Sequence, residues 1–145
     1  MPYNKTIPWN DKYSLGIDAI DTQHKKLFEI VNRLYALDDE HSTKDEIKDI
    51  LYEFNDYLRT HLSEEEEYMA SINFPELPEH KEIHESFIVA LTKIITTPAK
   101  LDIIKTKMKV FAKRALIDHI THKDIKIKYY KMSLEAPSEK ITNIE

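Results

Sequence analysis

Residues 61–84 of the chain read HLSEEEEYMASINFPELPEHKEIH, and they contain two pairs of possible metal ligands. His61 and Glu65 are four positions apart, as are His80 and His84. Side chains at this spacing stack on one face of a helix at about 5–6 Å, so each pair can reach one metal ion or a pair of ions. The stretch therefore predicts that one helix ends, and the next begins, with metal-binding side chains on its inner face.

The spacing of apolar residues predicts four helical segments along the chain. The first follows a possible N-cap at Asp18, and the second opens with a capping box formed by Thr43 and Glu46. A proline-containing loop at 73–78 separates the second segment from the third, and Thr97–Pro98 separates the third from the fourth. Because short connections between long helices favour antiparallel neighbours, we expect an all-α fold, an up-down-up-down antiparallel four-helix bundle.

The bundle is expected to span residues 18–132, between an extended N-terminal arm at 1–17 and a polar tail at 133–145. Gly16 is the only glycine, which argues against a strand-rich fold with many tight turns.

The chain has no cysteine, so any metal must bind to nitrogen and oxygen ligands. The net charge of −5 gives no reason to expect nucleic-acid binding, and no apolar run is long enough for a signal peptide or a membrane span. We expect a cytoplasmic monomer without membrane insertion.

In an up-down-up-down bundle, the starts of odd helices and the ends of even helices share one end, and all the possible ligands occupy such positions. They are His24, His61, Glu65, His80, His84, His119 and Asp124. A single histidine on an apolar face is more often a hydrogen-bonded core residue, but five together would leave polar atoms without partners unless a metal binds them. Glu64, three residues after His61, is an alternative to Glu65. His41 is expected in a loop and His122 on the surface.

His119 and Asp124 are five positions apart, a spacing that an ideal α-helix does not place on one face. We therefore expect a local distortion of the fourth helix, or a fraying end, at this point.

The number of ligands favours one class of metal centre. Two octahedral ions offer twelve positions; five imidazoles, two bridging carboxylates and a bridging solvent oxygen fill eleven of them. Zinc prefers four ligands, and magnesium or calcium would require more oxygen. A histidine-rich, carboxylate-bridged pair favours iron, with manganese as the alternative. Compared with ferritin-like sites of four carboxylates and two histidines, such a centre is more positive, which favours reversible capture of dioxygen over oxidation of substrates.

The ligand motifs together resemble a known family. They are Ile17-Asp18-x-x-Asp21-x-Gln23-His24, His61-x-x-x-Glu65-Glu66-x-x-Met69, His80-x-x-x-His84-x-x-Phe87 and Leu116-x-x-His119-Ile120-x-x-x-Asp124. Across roughly residues 9 to 130, the chain is similar to hemerythrin, specifically the single-domain bacterial type.

The resemblance implies a specific distribution of ligands. His80, His84 and His119 would bind one iron, and His24 and His61 the other, which keeps the open position. Glu65 and Asp124 would bridge the two ions, together with an oxo or hydroxo group. In this family dioxygen binds the five-coordinate iron of the diferrous form and is held as a hydroperoxide, so the resemblance implies an oxygen-binding protein and not an enzyme.

Three apolar residues are expected to line the oxygen pocket: Leu62, Leu116 and Ile120. Leu116 would cover the open position and keep it dry, although an ordinary core role fits it equally well. The sequence departs from many relatives at Ala115, where they have tryptophan, and at Leu62, where they often have phenylalanine. Both replacements shorten side chains expected near the pocket.

Three other functions fit the same residues. The centre could be an oxygen or redox sensor that acts through a separate, unknown partner protein, or a di-iron oxidase or peroxidase. The third is a structural bundle that holds no metal.

Overall fold

The computed structural model describes residues 6–135, and within that range the protein is helical and has no strand. The helices are α1 (Asp18–Tyr35), α2 (Lys44–Ser71), α3 (Leu77–Thr96), α4 (Leu101–Ala112) and α5 (Ile125–Glu135). Two π-helical segments, Lys113–Asp118 and Ile120–Asp124, join α4 to α5 without a break. We call this continuous helix, from Leu101 to Glu135, the fourth rod.

Within the described residues the fold has four rods, which are α1, α2, α3 and the fourth rod. Consecutive rods pack against each other, and α1 also packs against the α4 part of the fourth rod, so the four surround a common core. This arrangement confirms the predicted antiparallel four-helix bundle. Lys105, one turn into the fourth rod, donates a hydrogen bond of 2.5 Å to the carbonyl of Leu37, just after α1 ends. The end of α1 and the start of the fourth rod therefore meet at the same end of the bundle.

Local sequence signals explain three of the helix boundaries. The Oγ1 of Thr43 accepts the Glu46 N–H at 3.1 Å, and the Glu46 carboxylate accepts the Thr43 N–H at 2.9 Å, which confirms the capping box. Asn73 adopts a left-handed conformation (φ 57°) in the loop after α2. Pro78 lies in the first turn of α3, where its missing N–H removes no helical hydrogen bond.

One predicted cap is wrong. Asp18 is the first residue of α1 and not its N-cap; the cap position is Ile17, which makes no side-chain hydrogen bond there. The carboxylate that organises this helix start is Asp21, which accepts the Leu15 N–H at 2.8 Å and the Ser14 hydroxyl at 2.6 Å.

The N-terminal arm, as far as it is described from residue 6 onward, lies against the bundle. Asn32 on α1 holds the arm through both backbone polar groups of Ile7: its Oδ1 accepts the Ile7 N–H at 2.7 Å, and its Nδ2 donates to the Ile7 carbonyl at 2.9 Å. Tyr13, within a short 3-10 turn (Asp11–Tyr13), stacks on Phe28 with ring centroids 5.5 Å apart. The arm therefore covers one side of α1 and adds to the core.

The helical part extends slightly further than the sequence indicated. The polar tail was expected from Ser133, whereas α5 continues to Glu135; residues 136–145 of that tail lie outside the described residues, as do residues 1–5 of the arm. None of the helices between residues 6 and 135 combines the length and the apolar character that crossing a membrane requires.

Candidate metal centre

Seven polar side chains are buried together at one end of the bundle, each exposing no more than 5% of its surface. They come from the start of α1, the end of α2, the start of α3 and the π-helical part of the fourth rod. They are His24, His61, Glu65, His80, His84, His119 and Asp124. The structure thus brings together all seven side chains of the predicted ligand set, whereas the alternative, Glu64, is exposed.

The donor atoms fall into two groups that share a carboxylate. In each group the atoms all lie within 4.8 Å of one another. The larger group consists of Glu65, His80, His84, His119 and Asp124, and the smaller one of His24, His61 and Glu65. The histidines divide in the way that the family resemblance implied, whereas Asp124 belongs to the larger group alone by this criterion.

Glu65 divides its two oxygens between the groups. Its Oε1 lies 3.2 Å from Nε2 of His84 and 3.4 Å from Nε2 of His80. Its Oε2 lies 3.3 Å from Nε2 of both His24 and His61. One carboxylate therefore faces both groups, as a bridging ligand must.

Asp124 has the same arrangement from the opposite side. Its Oδ1 lies 2.8 Å from Nε2 of His80 and 3.1 Å from Nε2 of His119, and its Oδ2 lies 3.3 Å from Nε2 of His24. Two carboxylates from different helices thus span the same pair of histidine groups.

The π-helical segments of the fourth rod bring Asp124 to this position. The His119 N–H bonds to the Arg114 carbonyl, and the Ile125 N–H bonds to the Ile120 carbonyl, each five residues back. Such i→i+5 turns are wider than α-helical turns and bring residues five apart onto one face. The distortion expected from the spacing of His119 and Asp124 is therefore confirmed, whereas the alternative of a fraying end is not, because the helix continues to Glu135.

A chain of hydrogen bonds fixes the orientation of His61. Gln23 donates from its Nε2 to the Glu64 carboxylate at 2.8 Å, and a carboxylate can only accept, so the amide oxygen of Gln23 faces His61. His61 therefore donates from Nδ1 to that oxygen at 2.7 Å, and its Nε2 faces the centre. Glu64, considered as an alternative ligand, instead holds Gln23 at the surface.

His84 is oriented by a different partner. Its Nδ1 lies 2.8 Å from the Glu66 carboxylate, which again can only accept, so Nδ1 carries the hydrogen and Nε2 faces the centre. The roles of Gln23, Glu64 and Glu66 were not foreseen from the sequence. The available signal was that each is adjacent in the chain to a ligand, and so lies about 100° around the helix from it, towards a neighbouring helix.

The electrostatics of the buried groups reflect their crowding. Burial disfavours charge on His24 and His80, but the adjacent carboxylates of Asp124 and Glu65 outweigh it and raise the pKa of each to about 9. Burial lowers the pKa of His61, which the charge of Glu65 offsets only in part. Burial also opposes ionisation of Glu65 and Asp124, yet the surrounding imidazoles hold the pKa of both carboxyl groups below its usual range. Protons on histidine thus supply positive charge that the carboxylates require.

The buried atoms also fit a bound cation. Both oxygens of Glu65 lack a hydrogen-bond partner within residues 6–135, a costly arrangement for an ionised group that exposes none of its surface. Nε2 of His119 lies 3.1 Å from Nε2 of His80 and 3.3 Å from Nε2 of His84. Three ring nitrogens this close cannot all satisfy one another, whereas a cation between them would accept a lone pair from each.

The remaining sequence predictions concern two other histidines and four apolar residues. His41 and His122 are both exposed, His41 in the turn after α1 and His122 on the surface of the fourth rod, as expected. Leu62, Leu116 and Ile120 are buried and belong to the main apolar core, as does Ala115.

Comparison with known proteins gives a consistent assignment. A family model described as the hemerythrin HHE cation binding domain matches residues 15–128. A bacteriohemerythrin of Clostridium acetobutylicum is 48% identical over 83 residues, which cover 55% of this chain and 64% of that protein, slightly less than two thirds of its length. A bacteriohemerythrin of Campylobacter jejuni is 33% identical over 132 residues, or 90% of this chain and 96% of the relative. A hemerythrin-like protein of Naegleria gruberi is 31% identical over 128 residues, which cover 85% of this chain and 95% of that protein.

Proposed function

Because the chain belongs to the hemerythrin family, we propose that it binds dioxygen reversibly at a pair of iron ions and is an oxygen-binding protein, not an enzyme. The observation that carries the proposal is the way Glu65 and Asp124 each direct one oxygen to each histidine group. When bound, two ferrous ions would supply the electrons and the free coordination position that hold dioxygen.

The two groups offer unequal numbers of donors. His80, His84 and His119, with one oxygen from each carboxylate, present five protein donors to one ion. His24 and His61, with the other two oxygens, present four. An ion held by the second group would therefore have one protein ligand fewer, which supports a free position on the side of His24 and His61.

The apolar residues beside the ligands support a dry pocket. Leu62 follows His61 directly, Ile120 follows His119, and Leu116 precedes His119 by three residues; all three are buried. An apolar lining keeps water and its protons away from a reactive centre, which slows the loss of bound dioxygen by side reactions. We assign these three residues to the oxygen pocket.

The charge of the donor set favours binding over substrate oxidation. Five neutral imidazoles and two carboxylates leave the two ions with more positive charge than the four carboxylates and two histidines of ferritin-like centres would. This positive charge disfavours the high oxidation states of iron that substrate oxidation requires.

The cytoplasmic location and the monomeric state remain predictions, as does the role of a partner protein in a sensor.

The direct test is an absorption spectrum of the protein loaded anaerobically with ferrous iron. On exposure to air we expect a visible band that disappears under inert gas and returns with air. The exposed-histidine variant His41→Ala should behave identically, whereas His61→Ala should bind less iron and give no reversible band. Two bound irons without colour would contradict oxygen binding, and colour that never reverses, with continuous consumption of added reductant, would favour an oxidase or peroxidase.

A further inference from the structure

The two histidine groups differ in the partner that orients one of their rings. In the smaller group, Nδ1 of His61 donates to the neutral amide oxygen of Gln23 at 2.7 Å. In the larger group, Nδ1 of His84 donates to the carboxylate of Glu66 at 2.8 Å. The two hydrogen bonds have nearly the same length, so the main difference between them is the negative charge on Glu66.

A carboxylate partner at one nitrogen of an imidazole makes the other nitrogen a stronger electron donor to a metal ion. A hydrogen bond to an ionised acceptor is roughly twice as strong as one to a neutral acceptor, and it draws the Nδ1 proton away from the ring. The ring then carries more electron density at Nε2 and becomes a more basic metal ligand. The Nε2 of His84 lies 3.2 Å from Oε1 of Glu65 and 3.3 Å from Nε2 of His119, so the added electron density faces the donor atoms of the larger group.

The surroundings of Glu66 leave its charge available to His84. Within the described part of the chain, the ion pair of Glu66 is with His84, and no lysine or arginine lies within 4.0 Å of its carboxylate. By contrast, the carboxylate of Glu64 bonds to Gln23 and not to the ring of His61, so it lies one hydrogen bond further from that ring. In the larger group the negative charge thus contacts the ligand His84 directly, whereas in the smaller group the neutral Gln23 lies between the charge and His61.

From this difference we propose that Glu66 is a positioning residue that makes the metal held by His80, His84 and His119 the more tightly bound and the more easily oxidised of the two. Gln23, fixed by Glu64, orients His61 without adding charge and leaves the second metal weaker. The inference rests on the metal centre of the proposed function but does not require that dioxygen binds.

The position of Glu66 suits a substitution experiment. It lines a cleft of about 340 Å³ between α2 and α3, together with Arg59, Ser63, Lys81 and Glu85. Its side chain is 24% exposed, so its replacement opens onto this cleft and leaves no sealed cavity in the core. Glu67, the next residue, is exposed and provides a control with the same change of charge.

The first experiment measures stepwise Co²⁺ binding under argon in the full chain. Glu66→Gln keeps a hydrogen-bond acceptor but removes the charge, and we expect it to weaken the tighter of two sites by up to about tenfold; Glu66→Ala should weaken it by about 10–100-fold. The double variant Gln23→Glu/Glu64→Gln moves a charge to His61 and should strengthen the weaker site. Glu67→Gln should match the unaltered protein at both sites.

The second experiment measures the reduction potential of the iron-loaded variants, which a purely structural role of Glu66 would not change. A tenfold loss of preference for ferric over ferrous ion raises a one-electron potential by about 59 mV, and we expect a rise of up to this size in Glu66→Gln. If both Co²⁺ constants and the potential of Glu66→Gln equal those of Glu67→Gln, or if both sites weaken equally, the inference is wrong while the metal centre stands. If the unaltered protein binds no Co²⁺ or iron, the proposed function fails and this inference with it.

Discussion

Nε2 of His119 lies 3.1 Å from Oδ1 of Asp124, although the two residues are five positions apart in one continuous helix. In an α-helix of 3.6 residues per turn, such residues point about 140° away from each other. The π-helical hydrogen bonds of the fourth rod remove this difference and place a carboxylate beside an imidazole on the inner face. Both histidine groups depend on that placement, because Asp124 contacts each of them.

We expect Asp124→Ala to lower the metal content from two ions per chain to one or fewer, because it removes an oxygen from each histidine group. Elemental analysis of iron-loaded protein measures the content, and circular dichroism checks that the helices remain. Asp118→Ala is the matched control, since that aspartate pairs with Lys113 on the surface of the same rod. Two ions bound by Asp124→Ala would refute its role as a bridge.

The metal-free protein should become less stable as the pH rises from 6.5 to 9. The pKa of His24 and of His80 is about 9 in the folded protein and 6.5 in the unfolded chain, so their stabilising contribution is complete below pH 6.5 and is lost as the pH passes through about 9. The lowered pKa values of Glu65 and Asp124 stabilise the fold above the usual carboxyl range, near pH 4, and this contribution is lost only in more acidic solution. Urea unfolding at pH 6 and pH 9 measures the difference. Greater stability at pH 9 would contradict this prediction.

Metal binding should have the opposite pH dependence, because a metal ion must displace the protons of His24 and His80. We expect the affinity for a divalent ion to rise between pH 6 and pH 9 by about ten- to a hundredfold per pH unit, according to whether one or two protons are released. Titration calorimetry in buffers of different ionisation enthalpy counts those protons. A constant affinity over this range would show that neither histidine binds the metal through its titrating nitrogen.

Leu116→Ala should shorten the lifetime of the oxygenated protein as well as destabilise the fold. Leu116 is 1% exposed, so its truncation leaves a cavity that costs about 2–5 kcal/mol and can admit water beside the ligands. Leu91→Ala provides the control, since Leu91 is fully buried on α3 but lies seven residues, about 10 Å, from His84. Both variants should melt earlier, and only Leu116→Ala should lose its visible band faster. Equal rates of loss would mean that Leu116 is an ordinary core residue.

Asn32→Ala should release the N-terminal arm. It leaves the N–H and the carbonyl of Ile7 without their partners, and we expect a loss of about 1–3 kcal/mol in the free energy of unfolding. Limited proteolysis before Tyr13 should become faster, while the metal content stays unchanged. Asn55→Ala, on α2, removes two exposed contacts, at 3.3 Å with Arg59 and at 3.5 Å with Asp56, and should have little effect. An arm that stays protected from protease in Asn32→Ala would show that apolar contacts alone hold it.

The bundle and the ligand groups were predictable because they depend on periodicity. His61 with Glu65, and His80 with His84, share a face through the i, i+4 rule alone, and antiparallel topology then brings the pairs together. The spacing of His119 and Asp124 was enough to indicate a distortion, but the form of that distortion depends on backbone hydrogen bonds that no side-chain pattern specifies.

Contacts that depend on tertiary structure could not be predicted in the same way. Gln23 and Glu66 orient imidazoles on other helices, so their roles depend on how α1, α2 and α3 face one another. The same applies to Asn32, whose amide meets a residue 25 positions away in an arm with no regular pattern. Asp18 is a suitable residue type for an N-cap, but Asp21 organises the preceding turn because that turn folds back over the helix.

The polar ligands lie at one end of the bundle, and the far end is apolar. Leu34, Leu51, Leu91 and Met108 lie seven to eleven positions from the nearest ligand on the same rod, or about 10–16 Å. Exchanges among aliphatic side chains of similar volume at that end would alter heat tolerance and leave every donor atom in place. Thermal adaptation and the chemistry of the proposed metal centre can therefore evolve separately within one bundle.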